Sequence, residues 1–159
     1  MRLLDTQNLP AGFSVLNEVV YFFEKQKLFV VVSESEIFFI KKVPSPYLQQ
    51  EDEIGGILIY QTEFPRSASK WIVNAIENQL WRSEKEGGLP SGVNHVEGDF
   101  EGERLKIRRS MNVGGPGVKG FLLMNLSRPH RTLKSKKYQE IQLSDALLKD
   151  HILDMLKDL

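Results

Sequence analysis

Two segments of this chain carry an apolar stripe at the 3.6-residue period of a helix, and each follows a series of short runs rich in β-branched and aromatic residues. In the first, Ala68, Trp71, Ile72, Ala75, Ile76 and Leu80 fall at i, i+3, i+4, i+7, i+8 and i+12. That spacing predicts a helix beginning near Pro65 and Ser67 and reaching Trp81. In the second, Leu148, Ile152, Met155, Leu156 and Leu159 mark an amphipathic helix over Ser144 to Leu159, with Ser144 placed as its N-cap.

What precedes the stripes is strand-like. From Val15 to Val43 the text VLNEVVYFFEKQKLFVVVSESEIFFIKKV holds three such runs, broken by polar residues at Glu24 to Lys27 and Ser33 to Glu36. This reads as a three-strand meander. A Pro-rich, acidic loop (Pro44 to Glu53) follows, and Gly55-Gly56 opens a fourth run, Ile57 to Phe64. After the linker Glu86 to Gly92 the order recurs: Val93 to Phe100, then Arg104 to Val113, a turn at Gly114-Gly115-Pro116-Gly117, Val118 to Leu126, a basic loop Ser127 to Lys137, and Tyr138 to Leu143. A Tyr-Gln pair, Tyr60-Gln61 and Tyr138-Gln139, stands ahead of each helix. The expected fold is α+β, with two antiparallel four-stranded sheets each followed by a helix (β-β-β-β-α twice). Residues 1–159 then make one domain of two units, 13–85 and 93–159, with the sheets face to face around one core.

Composition removes several function classes. None of the 159 residues is cysteine, which excludes disulfides, zinc–thiolate sites and a cysteine nucleophile. His95, His130 and His151 lie far apart without metal-ligand spacing, so no metal is expected. The apolar runs are far shorter than the roughly 18 residues of a membrane span, and MRLLDTQNLPAG has no signal-peptide h-region. A soluble cytoplasmic protein without a membrane partner is expected. GGPGVKG lacks the Ser/Thr and the following helix of a phosphate loop, so it reads as a hairpin turn. Glu51-Asp52-Glu53 falls in a polar loop and no Ser stands in a nucleophile elbow. No catalytic residue, cofactor or enzymatic activity is expected.

Charge is the informative feature. The whole chain balances 21 Lys+Arg against 21 Asp+Glu, yet Arg104 to Tyr138 contains ten basic residues and no acid. Such a stretch suits a polyanion, unless Glu97, Asp99, Glu101 and Glu103 offset it in space. On a strand, Arg104, Lys106 and Arg108 project from one side, roughly 6.6 Å apart, while Leu105 and Ile107 enter the core. Lys119 and Arg128, at the ends of the next strand, would extend that stripe, with Arg131 beside them; His130, in SRPHRT, reads as an exposed loop residue or else as a phosphate contact. Binding a single strand also needs flat side chains for bases. The candidates are Phe121, Tyr138, Phe100 and, if the sheets are contiguous, Phe38, Phe39 or Tyr60; aromatics of a small double-sheet domain mostly fill its core, and Tyr60 and Tyr138 stand out because each sits among polar neighbours. Trp81, beyond the main stripe, either caps the helix end or anchors an interface. Exposed sheet edges favour a homo-oligomer.

The order of elements resembles the Whirly family of single-stranded DNA-binding proteins, and more loosely the positive-cofactor coactivators and the guide-RNA-binding proteins of kinetoplastids. The likeness is best over Arg104 to Ile152: a basic alternating strand (RLKIRRSMNV), a Gly-rich hairpin (GGPGVKG), an apolar strand ending in Asn-Leu-Ser (FLLMNLSRP), a basic loop, then YQEIQLSDALLKDHI. The Lys-Gly-Lys-Ala-Ala type of stretch found on an early strand of that family has no counterpart in Val15 to Val43. The resemblance implies binding of single-stranded DNA or RNA. The alternative is a non-enzymatic protein-interaction or adaptor module on the same fold.

Overall fold

The structure, a computed structural model, describes residues 3–20, 26–44, 53–54 and 57–159. Strands β1 (Ser14–Val20), β2 (Lys27–Val32), β3 (Glu36–Pro44), β4 (Glu53–Ile54) and β5 (Ile57–Pro65) make an antiparallel sheet in the order β1-β2-β3-β5-β4. Strands β6 (His95–Phe100), β7 (Glu103–Ser110), β8 (Gly120–Asn125) and β9 (Gln139–Ser144) make a second antiparallel sheet in sequential order. One helix follows each sheet. The first runs from a 3-10 turn (Arg66–Ala68) through α-helical Ser69–Asn74 into wider π turns (Ala75–Leu80), where the Trp81 N–H donates to the Ile76 carbonyl at 2.9 Å. The second runs through Asp145–Leu147, Leu148–Ile152 and Leu153–Lys157, and Ser144 caps it by accepting the Leu147 N–H at 3.1 Å.

The α+β class and the doubled β-β-β-β-α order are thus present, with both helices where their stripes put them. The two-residue β4 is an addition, pairing with Ile57 and Leu58 at the edge of the first sheet. Expectations for residues 21–25, for 45–52 within the acidic loop, and for Gly55-Gly56 lie outside the described residues. The β6–β7 hairpin turns on Glu101 (φ 51°) and Gly102 (φ 78°), the positive pair that a two-residue primed turn requires.

The two sheets differ in how they are covered. In the first, Leu28, Val30, Val32, Ile37, Phe39 and Phe64 face a core shared with Ile72 and Ile76 of the first helix, Leu105, Ile107, Phe121 and Leu123 of the second sheet, and Leu148, Ile152 and Leu156 of the C-terminal helix. The opposite face carries Val31, Phe38, Ile40 and Ile59, covered by Leu4 with Leu3, Leu9 and Phe13 from the N-terminal segment. Burial on both faces explains why FVVV and IFFI are continuous apolar runs, and each such side chain contributes about 1.5–3 kcal/mol. In the second sheet β7 alternates, with Leu105 and Ile107 buried and Arg104 and Arg108 exposed, because one face meets the core and the other meets solvent. Gly98 lets the first helix close on β6, since a Cβ there would stand 3.0–3.1 Å from the rings of Phe100 and Trp71.

Only the end of β5 is paired by β4, so the rest of that edge needs other partners. Side chains of the second unit provide them. Asn125 Nδ2 donates to the Glu63 carbonyl at 2.8 Å and the Glu63 N–H donates to Gln139 Oε1 at 2.9 Å; in the other direction, Thr62 Oγ1 of β5 donates to the Glu140 carbonyl of β9 at 3.0 Å. The Thr132 hydroxyl donates to the Ile59 carbonyl. Buried amides stand in for a neighbouring strand and fix one unit against the other.

Candidate nucleic-acid interface

The basic stretch separates into an inner and an outer set. Arg128 and Arg131, in the loop after β8, converge on Glu63, whose side chain is fully buried. Arg128 Nη1 donates to Glu63 Oε1 at 2.6 Å and its other nitrogens pair with Glu36 and Glu103. Arg131 holds both Glu63 oxygens, at 2.8 and 2.9 Å. The two Tyr-Gln pairs meet here, since Gln61 Nε2 and Gln139 Nε2 both donate to Glu63 Oε2. Burial alone would raise the Glu63 pKa, but hydrogen bonds from Arg131, Gln61 and Arg128 outweigh it and hold the carboxyl below its ordinary value. Burial would likewise lower the pKa of Arg128, and its bonds to Glu103, Glu63 and Glu36 raise it instead.

These contacts correct part of the expected binding surface. Arg128 and Arg131 are occupied by a five-residue ionic cluster joining the two units. Phe121 is fully buried, 6.0 Å from the Trp81 ring and beneath the Arg109 guanidinium, so no base can stack on it. Arg109 fills the third inward position of β7 and is held there by Asp145 at 2.5 and 2.9 Å. Trp81 takes its capping role, donating from Nε1 to Asp145 Oδ1 at 3.0 Å. Phe38 and Phe39 are enclosed, and Phe100 packs on Trp71 at 5.1 Å.

The outer set lies on the solvent face of the second sheet. Arg104 is there as expected, but Asp99 at 3.1 Å and Glu97 at 3.4 Å on β6 already bind it. Of the nine expected contact residues, Lys106, Arg108 and Lys119 make no ion pair with any described residue. Strand register sets two cross-strand rows on this face: Arg108, Leu122 and Gln142 in one, Lys106, Met124 and Glu140 in the other. Leu122 and Met124 lie between the cations of β7 and the polar side chains of β9 and are buried beneath them. Lys119 precedes β8 and is exposed, and Tyr138 precedes β9 with 38% of its surface accessible.

Beyond the β9 edge the rows run into a cleft of about 210 Å³, where Lys41 and Tyr60 of the first sheet face the basic loop. His130, Leu133, Lys136, Glu140, Ile141 and Gln142 complete its lining. Lys41 Nζ sits 4.4 Å from the Tyr60 ring centroid, and the His130 ring meets Tyr60 edge-on at 5.7 Å. His130 Nδ1 accepts the N–H groups of Thr132 and Leu133, which leaves the ring proton on Nε2. Lys136 pairs with Glu140 at 2.6 Å. Burial lowers the pKa of Lys41, and the charge on Lys136 lowers it further against the opposing effect of Glu140. Lys136 belongs to the basic stretch read from the sequence, whereas the sequence reading names neither Lys41 nor Glu140 nor Gln142; for Lys41 the one signal is Lys41-Lys42 interrupting the apolar run of β3.

The chain matches no protein-family model and no curated protein. Among the described residues no group of three or more His, Asp or Glu side chains gathers as metal ligands do, and no helix is long and apolar enough to cross a membrane.

Proposed function

We propose that this protein binds single-stranded nucleic acid across the outer face of its second sheet, without catalysis. The observation that carries the reading is the continuity of that face: Lys106 and Arg108, the buried Leu122 and Met124 beside them, then the cleft around Tyr60. Cations that follow a backbone and aromatic faces that accept bases are the two elements of sequence-tolerant single-strand binding.

Fluorescence anisotropy with a labelled oligonucleotide tests it. The parent binds a single strand more tightly than the matching duplex, with affinity falling linearly on a log–log salt plot. Replacing Lys106 and Arg108 together by Ser weakens binding of all sequences and flattens the slope by about 1.4, at roughly 0.7 per phosphate contact. No binding at low salt, or a double variant that binds as the parent does, overturns the reading.

Edge strand β1 supports self-association as a second property. Val15, Leu16 and Val20 are 41%, 38% and 59% exposed on a strand with no neighbour on its outer side among the described residues. Sedimentation equilibrium gives a multiple of the monomer mass at tens of micromolar if this edge pairs, and the monomer mass if it does not.

A further inference from the structure

We infer a second binding site, for a free α-amino acid, in the cavity where the turn between β2 and β3, the start of the first helix and the turn of the β6–β7 hairpin meet. Arg66 and Lys70 hold the carboxylate, Glu34 and Glu101 hold the ammonium, and Ser69 takes a further polar atom. The cavity shares no lining residue with the face proposed for nucleic acid and does not depend on that reading.

Its volume of about 410 Å³ falls within the roughly 300–1,000 Å³ of small-molecule sites. Charges of both signs line it and leave one another unpaired. Arg66 and Lys70 stand four residues apart on one helix, so their side chains share a face and repel each other, while Glu34 and Glu101 approach from two turns. None of the four makes an ion pair with any described residue. The cavity differs in this from the Tyr60 cleft, whose lysines are taken up by a ring and a carboxylate. Opposite charges that border one space without touching are bridged by a ligand carrying both signs. A simple anion there meets two carboxylates, and a simple cation meets two basic groups. The contacts that do exist leave capacity for a ligand. Arg66 Nη1 donates to the Ser33 carbonyl at 2.9 Å, with its other guanidinium N–H groups uncommitted, and Glu101 Oε2 accepts the Ser67 hydroxyl at 3.3 Å, with Oε1 uncommitted.

Ser69 is the independent sign. It is 3% exposed and borders the cavity, and its hydroxyl has no hydrogen-bond partner among the described residues. Buried polar side chains are nearly always hydrogen-bonded, and a polar ligand atom seated in the cavity satisfies this one. Leu159 is the one apolar residue among the described lining, which favours an amino acid with a small polar side chain over a bulky apolar one. L-Serine is the simplest of that kind.

The test titrates the full chain with three probes and follows amide chemical shifts: L-serine, N-acetyl-L-serine, which lacks the ammonium, and L-serinamide, which lacks the carboxylate. L-Serine saturably shifts the amides of Glu34, Lys70 and Glu101, and each derivative binds about 10-fold more weakly, the value of one charged hydrogen bond. Lys70→Met and Glu34→Gln, both at exposed positions, weaken L-serine binding by a similar factor without moving the thermal melt. Ser69→Ala weakens it severalfold and does not lower the melt, because the hydroxyl it removes has no partner within the fold. A destabilised Ser69→Ala protein makes that hydroxyl structural and overturns its part in the site. The site itself is overturned if L-serine shifts none of these amides, if both derivatives bind as tightly as L-serine, or if the three variants, folded, bind L-serine as the parent does.

Discussion

Arg128 and Arg131 on the loop after β8 and Lys106 and Arg108 on β7 belong to the same acid-free stretch, yet the first pair closes over a buried carboxylate, while Arg108 is exposed, Lys106 half-buried, and neither makes an ion pair among the described residues. The difference comes from what each segment packs against. The loop lies over the edge of β5, where Glu63 has left solvent and must be neutralised. Strand β7 lies between two neighbours of its own sheet, so its outward residues meet only side chains. Charge therefore serves cohesion where a buried acid demands it, and remains available for a ligand where none does.

The largest effect expected on this contrast is from Glu63→Gln. Breaking a buried pair from one side costs about 3–5 kcal/mol, because Arg128 and Arg131 lose the charge they enclose. Urea unfolding measures it, and a loss below 1 kcal/mol would place the inner arginines with the outer set. At a temperature where this variant is folded, its salt slope for oligonucleotide stays that of the parent.

Acidification sharpens the same point. The folded pKa of Glu63 lies below its ordinary value of 4.5, so its contribution is fully present above pH 4.5 and is lost as pH falls through the folded value. The stability difference between parent and Glu63→Gln shrinks over that range, and a difference independent of pH from neutrality to pH 2 breaks the assignment.

Asp145→Ala is intermediate. It frees the partly buried Arg109 and the Trp81 indole, which costs about 1.5–3 kcal/mol for a charged hydrogen-bonded group, read by the same unfolding measurement. The smallest effect on stability belongs to the Lys106→Ser, Arg108→Ser double variant, within about 0.5 kcal/mol of the parent. Its consequence is confined to binding, and a large loss of stability would show these cations to be structural.

The helical stripes, the Ser144 cap, the Gly114–Gly117 turn and the alternation of β7 were all legible in the sequence, because each is set by neighbours within a few residues. The candidate site was legible in part. Lys106 and Arg108 followed from strand alternation, and Tyr60 could be named as an aromatic among polar residues. That Phe121 is enclosed and that Lys41 and Lys136 share a cleft could not be read, because each depends on segments separated by many residues along the chain. The pairing of Arg104 with Glu97 and Asp99 spans only five to seven residues across the β6–β7 hairpin, and the sequence held it open as an offset in space.

The sequence by itself determined which segments are strands and helices, the order in which they occur, and that one run of residues carries a surplus of positive charge. Tertiary structure alone decided which of those charges are satisfied. Local periodicity depends on backbone geometry repeated every two or 3.6 residues, and it survives in a one-dimensional reading. Ion pairing depends on distance in space: Glu36 and Glu63 reach Arg128 only after the two sheets have packed, and Glu103 only after β7 has paired with β8.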